Sequence, residues 1–205
     1  MIEAVEINKI FNNKPIIKNF NINIQKGDFI AIKGESGKGK TTLLNMLGLL
    51  EKPSDGDIFI EGLKNPNKKQ IMLIQRNLFG YIFQNFGLIE NETVASNLAI
   101  ALEYKKNKKK IEDIRDALAY VNLEGFVNKK IFELSGGEQQ RVALARVLLK
   151  ECSYIFADEP TGNLDIKNRD IVFDILRKFN DMGKTIIFVT HDEALANKAH
   201  RCIDL

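Results

Sequence analysis

No stretch of this sequence approaches the roughly 20 apolar residues that a membrane-spanning helix requires. The longest apolar runs, such as Phe29 to Ile32, have the length of a strand, so direct membrane insertion is not expected. Prolines number only 4, and 44% of residues are hydrophobic, which excludes both collagen-like repeats and the composition of a disordered chain. An excess of one charge is also missing. Lys and Arg total 30 against 27 Asp and Glu, and a net charge of +3 gives no reason to expect nucleic acid as a partner. The opening residues Met1 to Ile7 alternate apolar and acidic side chains and lack the basic and apolar regions of a secretion signal, which points to the cytoplasm. The 2 cysteines, Cys152 and Cys202, lie in apolar contexts and match no metal-ligand spacing, so both read as buried thiols without a chemical role.

At 205 residues, one compact domain with room for an inserted subdomain can bury a full core without disulfides or a structural metal. The pattern opens as β-structure. Asn19 to Ile24 alternates strictly, Gln25 to Asp28 supplies a turn, and the apolar run Phe29 to Ile32 follows. A helix is predicted from about Lys40 through Leu50, ended by the proline and glycine cluster of residues 52 to 57, with a strand from Ile58 to Glu61 after it. From about Glu92 to Leu149 the spacing becomes helical. Strand runs return at Tyr154 to Ala157 and Thr185 to Val189, separated by a helical stretch from Lys167 to Phe179. Apolar strands alternating with helices imply parallel β-α units with both sheet faces covered. The run Lys105 to Lys110 holds five lysines in six positions and reads as a solvated loop, with a lipid-headgroup or partner contact as its alternative.

Gly34, Glu35, Ser36, Gly37, Lys38, Gly39, Lys40 and Thr41 follow a predicted strand and open a predicted helix, the setting a phosphate-binding loop requires. The glycines let backbone N–H groups and the helix N-terminus face a polyphosphate, Lys40 can reach the β- and γ-phosphates, and Thr41 can place its hydroxyl on Mg²⁺. A second apolar strand ends in Asp158-Glu159. Alone, adjacent acids there are ordinary surface charges; beside a phosphate loop, Asp158 is placed to bind Mg²⁺ and Glu159 to polarise the attacking water. The run Leu134 to Gln139 carries a capping box, with Ser135 at the N-cap and Glu138 three positions on. Gly136 and Gly137 within it leave amides bare at the helix start, a second anion site.

These motifs, in this order, resemble the ATP-binding subunits of ABC transporters, whose signature loop lies between the phosphate loop and the carboxylate strand. The resemblance covers essentially the whole chain. It implies an α/β P-loop NTPase fold of the ABC type: a mainly parallel core sheet, an N-terminal antiparallel β-subdomain and an inserted helical subdomain. Residues 1–84 and 151–205 would form the RecA-like core with its β-subdomain, and about 85–150 the helical subdomain. It also implies roles for further residues. Gln84 matches the glutamine that touches Mg²⁺, Asp165 the aspartate of the D-loop, and His191 the histidine that contacts the γ-phosphate. Phe11 matches the aromatic that stacks on adenine, with a core position as its rival reading. Thr42 completes the phosphate loop, and Ser135, Gly136, Gly137 and Glu138 would meet ATP. Lys38 departs from the small residue common at its position, and would either alter affinity or face solvent.

Because the family places the signature loop away from its own phosphate loop, the resemblance implies head-to-tail homodimers glued by ATP. It also implies a separate polytopic permease that would hold the chain at the inner face of the cell membrane. The run Ala157 to Asp165 is similar to the subgroup serving macrolide exporters, lipoprotein-release systems and bacteriocin exporters, which suggests a peptide, lipoprotein or drug-like cargo. A regulatory or scaffold ATPase of the cell-division or cofactor-assembly kind is the alternative. A GTPase is disfavoured because no Asn-Lys-x-Asp motif is present. The chain reads as a nearly minimal cassette that ends in a strand at Arg201 to Leu205.

Overall fold

The computed structural model describes residues 1–104 and 110–205; the lysine run before Lys110 lies outside the described residues. Two sheets organise the chain. Strands β1 (Ile2–Phe11), β2 (Lys14–Ile24), β4 (Asp55–Ile60) and β5 (Leu63–Lys64) form an antiparallel sheet in the order β2-β1-β4-β5. Strands β3 (Phe29–Lys33), β6 (Phe79–Ile82), β7 (Tyr154–Asp158), β8 (Thr185–Val189) and β9 (Arg201–Asp204) form a parallel sheet in the order β6-β7-β8-β3-β9. The helices are α1 (Lys40–Leu47), α2 (Lys68–Asn77), α3 (Val94–Ala99), α4 (Lys110–Tyr120), α5 (Gly136–Lys150), α6 (Ile166–Asp181) and α7 (Glu193–Ala196). Among the described residues, no helix is long and apolar enough to cross a membrane.

The central parallel strands β3, β7 and β8 are apolar on both faces because each feeds two cores. Ile30 and Ile32, Tyr154 and Phe156, and Ile187 and Val189 face α1 and the antiparallel sheet. Their neighbours Phe29 and Ala31, Ile155 and Ala157, and Ile186 and Phe188 face the helical side, with α4, α5 and α6. Period-two alternation sends successive side chains to opposite faces. On the helical side, the Phe29 ring lies 5.1 Å from Phe188 and 5.7 Å from Phe173 between centroids. Truncating such a buried ring to alanine costs about 3–5 kcal/mol.

Local chemistry explains where elements end. Helix α1 stops at Leu47 rather than at the expected Leu50. Leu49 takes a left-handed φ of 58°, and the Leu50 amide returns to the Asn45 carbonyl at 2.8 Å, a Schellman closure that ends the helix before the proline is reached. Asn12 and Asn13 both have positive φ and join β1 to β2 as a tight hairpin. Between Glu61 and Gln84 the sequence pattern predicts no element, and the fold has β5, α2 and β6. The signal for α2 was there: Asn67 caps the helix while the Gln70 side chain accepts from the Asn67 amide at 2.8 Å, a reciprocal capping box. Cys152 is buried as expected, but Cys202 is exposed, which corrects its reading as a core thiol. It lies on β9, which pairs with β3 alone and forms the sheet's edge.

The two sheets meet at a polar joint. Tyr154, fully buried at the start of β7, donates its hydroxyl to Glu61 Oε1 at 2.6 Å just past β4. Burial by itself would raise the Glu61 carboxyl, but hydrogen bonds from Tyr154 and the Met1 ammonium overcome it and hold the group at about 2 instead of the ordinary 4.5. A carboxyl depressed in the folded state adds stability above its unfolded pKa and loses it as pH falls through the folded one. Tyr154→Phe is therefore expected to lower unfolding free energy at pH 7 by about 1 kcal/mol, the worth of one hydrogen bond. The variant should also lose less stability than the parent between pH 4.5 and 2. Urea titrations of both proteins at the two ends of that window check this.

Candidate functional site

The C-terminal ends of the parallel strands gather the sequence-predicted groups on one edge. Gly34 to Gly39 leave β3 and lead into α1, and this helix lacks what other helices of the chain have. Asn67, Thr93, Ser135, Asp165 and Asp192 cap α2, α3, α5, α6 and α7 with their side chains, whereas Gly39 offers α1 no side-chain cap. No acid occupies the first turn of α1 either. Its bare amides and positive dipole end suit an anion. Gly39, at φ 91°, has no alternative: a Cβ there would lie 2.5 Å from Ile16 Cγ2 on β2. Lys40 is buried and donates its ammonium to the Gly34 and Glu35 carbonyls at 2.9 and 2.8 Å, which folds it back over the loop. Glu35, Ser36 and Gly37 are exposed, and Thr42 is half-buried behind them on α1. Lys38 faces solvent and pairs with Glu35 at 3.7 Å, a surface contact of little energetic weight.

Thr41 donates its hydroxyl to Asp158 Oδ1 at 2.9 Å, joining the start of α1 to the end of β7. Burial raises the Asp158 carboxyl above its ordinary range, only partly offset by Thr41 and Lys40. A desolvated carboxylate beside a hydroxyl is a hard-oxygen pair, and it fits a cation such as Mg²⁺ that takes few protein ligands and keeps waters and phosphate oxygens. Gln84, just past β6, lines a cavity of about 570 Å³ together with Asp158, Gln139 and Asn163. Gln139 and Asn163 escaped the sequence reading. Gln139 ends the signature run and Asn163 lies within the run Ala157 to Asp165, but no residue-type rule separates them from their neighbours.

Glu159 follows with a left-handed φ of 45°, a conformation a non-glycine residue holds only where its surroundings impose it. The Glu159 amide donates to the Val189 carbonyl at 3.2 Å, and the Gly162 amide returns to the Glu159 carbonyl at 3.1 Å, so the turn is pinned from both sides. His191, past β8, puts Nδ1 3.0 Å from Glu159 Oε2. It also lines a cavity of about 480 Å³ with Gly34, Glu35 and Lys38. Phosphate loop, acid pair and histidine thus form one site.

Phe11 stands at the end of the β1–β2 hairpin and is 61% exposed, which removes the core reading. Its hairpin reaches the phosphate loop through the Ile16 contact with Gly39. The signature residues are elsewhere: Ser135, Gly136 and Gly137 line neither the cavity of Gln84 and Asp158 nor that of the phosphate loop and His191. Ser135 caps α5, and the Glu138 carboxylate turns back to accept from the Ser135 amide and hydroxyl, both at 2.7 Å. The Ser135 hydrogen bonds outweigh burial and lower the Glu138 carboxyl. Asp165 is exposed and caps α6, its carboxyl lowered chiefly by the Asn168 amide.

Comparison with known proteins shows the family. Residues 17–162 match the family model described as ABC transporter. The lipoprotein-releasing system ATP-binding protein LolD of Aquifex aeolicus is 40% identical over 209 aligned residues, covering 100% of this chain and 93% of that protein. The macrolide export ATP-binding/permease protein MacB of Mannheimia succiniciproducens is also 40% identical, over 214 residues, but this chain spans only 33% of its length. Among solved structures, the dimeric structure of MJ0796, a bacterial ABC transporter cassette, superposes with a TM-score of 0.91 at 36% identity, covering 100% of this chain and 94% of that one. The same cassette in a dimeric post-hydrolysis state bound to ADP and Pi gives 0.90. The chain belongs to the ABC transporter family, as one of its ATP-binding cassettes.

Proposed function

We propose that this ABC transporter ATPase subunit powers export of a peptide, lipoprotein or drug-like molecule through a separate membrane permease, by ATP-dependent head-to-tail pairing of two copies. The observation that carries the reading is the convergence of the phosphate loop, Asp158, Glu159 and His191 at adjacent parallel strand ends. The full-length match to a lipoprotein-releasing ATPase supports the export class.

In this reading the bare amides of the phosphate loop and α1 receive the β- and γ-phosphates of ATP, and Lys40 swings from its two carbonyls onto the same oxygens. Phe11 stacks on the adenine. Thr41 and Asp158, with Gln84 beside them, would hold Mg²⁺, which would supply neutralisation of the phosphoryl charge. Glu159 accepts a proton from the water whose oxygen bonds to the γ-phosphorus as the bond to the ADP oxygen breaks. His191 holds the Glu159 carboxylate in place and reaches the γ-phosphate. Ser135, Gly136 and Gly137 present the amides of α5 to the ATP of the opposing copy, so the γ-phosphate charge closes the dimer and hydrolysis releases it. The partition of Ser135 to Gly137 from their own chain's phosphate loop supports such sharing, as do the dimeric structures of a similar cassette.

A permease needs a surface to push on. A groove of about 660 Å³ lies one residue before Gln84, walled by Tyr81, Phe83, Met72, Ile100 and Tyr104. Ile100 and Tyr104 are 51% and 65% exposed, and apolar surface of that kind marks an interaction site. Docking there would hold the chain at the cytoplasmic face of the membrane and connect the permease to Gln84.

Glu159→Gln is expected to lower turnover by more than about 10²-fold while preserving ATP-dependent dimers; light scattering at saturating ATP and Mg²⁺ that finds only monomers defeats the pairing model. Asp158→Asn should abolish Mg²⁺-dependent hydrolysis yet leave the melting temperature equal or higher. Its buried carboxyl is raised by folding, so its ionised form opposes folding above the ordinary range, and the amide removes that opposition. A clear fall in melting temperature contradicts this. The transport assignment predicts co-purification from detergent-solubilised membranes with a polytopic protein that alters the ATPase rate when reconstituted; recovery with soluble proteins alone opposes it.

A further inference from the structure

Gly136 and Gly137 open the same helix, yet their surroundings differ. A Cβ at Gly136 would meet only the Phe86 ring, at 3.8 Å. A Cβ at Gly137 would lie 2.4 Å from Cγ and 2.5 Å from Oδ1 of Asn168 on α6. The missing side chain at Gly137 therefore makes room for a neighbour from another helix.

Asn168 is gripped at both ends of its amide. Its Nδ2 donates to Asp165 Oδ2 at 2.7 Å, and its backbone amide donates to Asp165 Oδ1 at 2.9 Å. Its Oδ1 accepts from Arg141 Nη1 at 2.6 Å. The two partners fix the amide's orientation, since a carboxylate only accepts and a guanidinium only donates. One residue before Arg141, Gln140 donates from Nε2 to the Pro160 carbonyl at 2.8 Å, directly after Glu159. The first two turns of α5 are thereby fastened to both ends of the loop that joins β7 to α6. Gln140 is 1% exposed and Arg141 9%. Gln140 Oε1 and Arg141 Nε are, among the described residues, the buried side-chain polar atoms without a hydrogen-bond partner. The contacts that tie α5 to this loop are thus made by side chains that are themselves buried, where a hydrogen bond is electrostatically stronger than in water.

We propose that Asn168 is a positioning residue that couples the two ATP sites of the dimer through each chain. The inference rests on the head-to-tail reading given above. The signature loop serves the ATP of the opposing copy, while Glu159 and the Asp165 loop flank the chain's own ATP. When the α5 N-terminus moves onto a γ-phosphate, Gly137 and Arg141 carry Asn168, which carries Asp165, and Gln140 carries Pro160 beside Glu159. Each site thus reports its occupancy to the other along a contiguous hydrogen-bonded path.

The experiment compares parent, Asn168→Ala and Asn168→Asp as full chains. Alanine removes both amide contacts, whereas aspartate keeps the acceptor for Arg141 and the packing on Gly137 but sets a carboxylate against Asp165. Both variants should bring the Hill coefficient of ATP hydrolysis down toward 1 and lower turnover about tenfold, while ATP affinity of the dilute monomer stays within about twofold, as expected for loss of a coupling energy rather than of a binding contact. A purely structural role for Asn168 would not move the Hill coefficient at fixed monomer affinity. Parental Hill coefficient and turnover in both variants, or a parent without positive cooperativity although its Glu159→Gln form dimerises, overturns the proposal. If alanine prevents folding, aspartate decides. Failure of Glu159→Gln to dimerise with Asn168 intact instead removes the pairing model itself, so the two failures are distinguishable.

Discussion

Parallel pairing of β7, β8 and β3 decides where the chemical groups of this cassette arrive. Asp158 is paired with Val189, and Val189 with Ile32, so three strands end level with one another. Phosphate loop, acid pair and histidine each begin within a residue or two of those ends. In a parallel sheet all C-termini lie on one edge, and the amide ends of the following helices point back at it. An antiparallel β8 would send His191 to the opposite edge and leave Glu159 without its 3.0 Å partner. Side-chain identities matter only once this register is set.

The register is itself held by burial on both faces. Because successive residues of each strand enter different cores, a slip of one residue would exchange Ile30 and Ile32 for Phe29 and Ala31 on the α1 face, and misfit both cores. Helix α1 lies between the sheets, with Leu43, Leu44, Met46 and Leu47 in that second core. The phosphate loop is therefore anchored through the helix it opens, while its tip stays exposed. Tyr154 and Glu61 complete the attachment with a directional contact that hydrophobic burial alone does not supply.

Much of this was legible in the sequence because the chemistry is local. A phosphate loop, a capping box at Ser135 and an acid pair after an apolar strand are short patterns whose residues touch one another or their own backbone. What stayed hidden depends on distant partners. Phe79 to Ile82 looks unremarkable as a strand, yet Gly80 lets it pack on Cys152, whose Sγ would lie 2.5 Å from an added Cβ. Asn168 has the look of an exposed polar residue in a helix's first turn, and its contact with Gly137 becomes visible only when α5 and α6 meet. The exposure of Cys202 follows from strand order, which places β9 on the edge, and apolar neighbours in sequence carry no information about strand order.

The same locality explains why the site carries groups that folding does not favour. Asp158 is a desolvated carboxyl raised by burial, Glu159 holds a left-handed backbone, and Gln140 and Arg141 are buried polar side chains. All lie on α5 or at the end of β7, along the route from signature helix to acid pair. The interiors of the two cores, by contrast, are almost wholly apolar. Two large apolar cores can bear the cost of such groups at the end of β7 and on α5. In the proposed head-to-tail dimer, ATP would favour one arrangement of this end by its differential contacts alone. Under the proposed coupling, replacing these groups by better-satisfied ones would raise stability at the expense of the closure they serve.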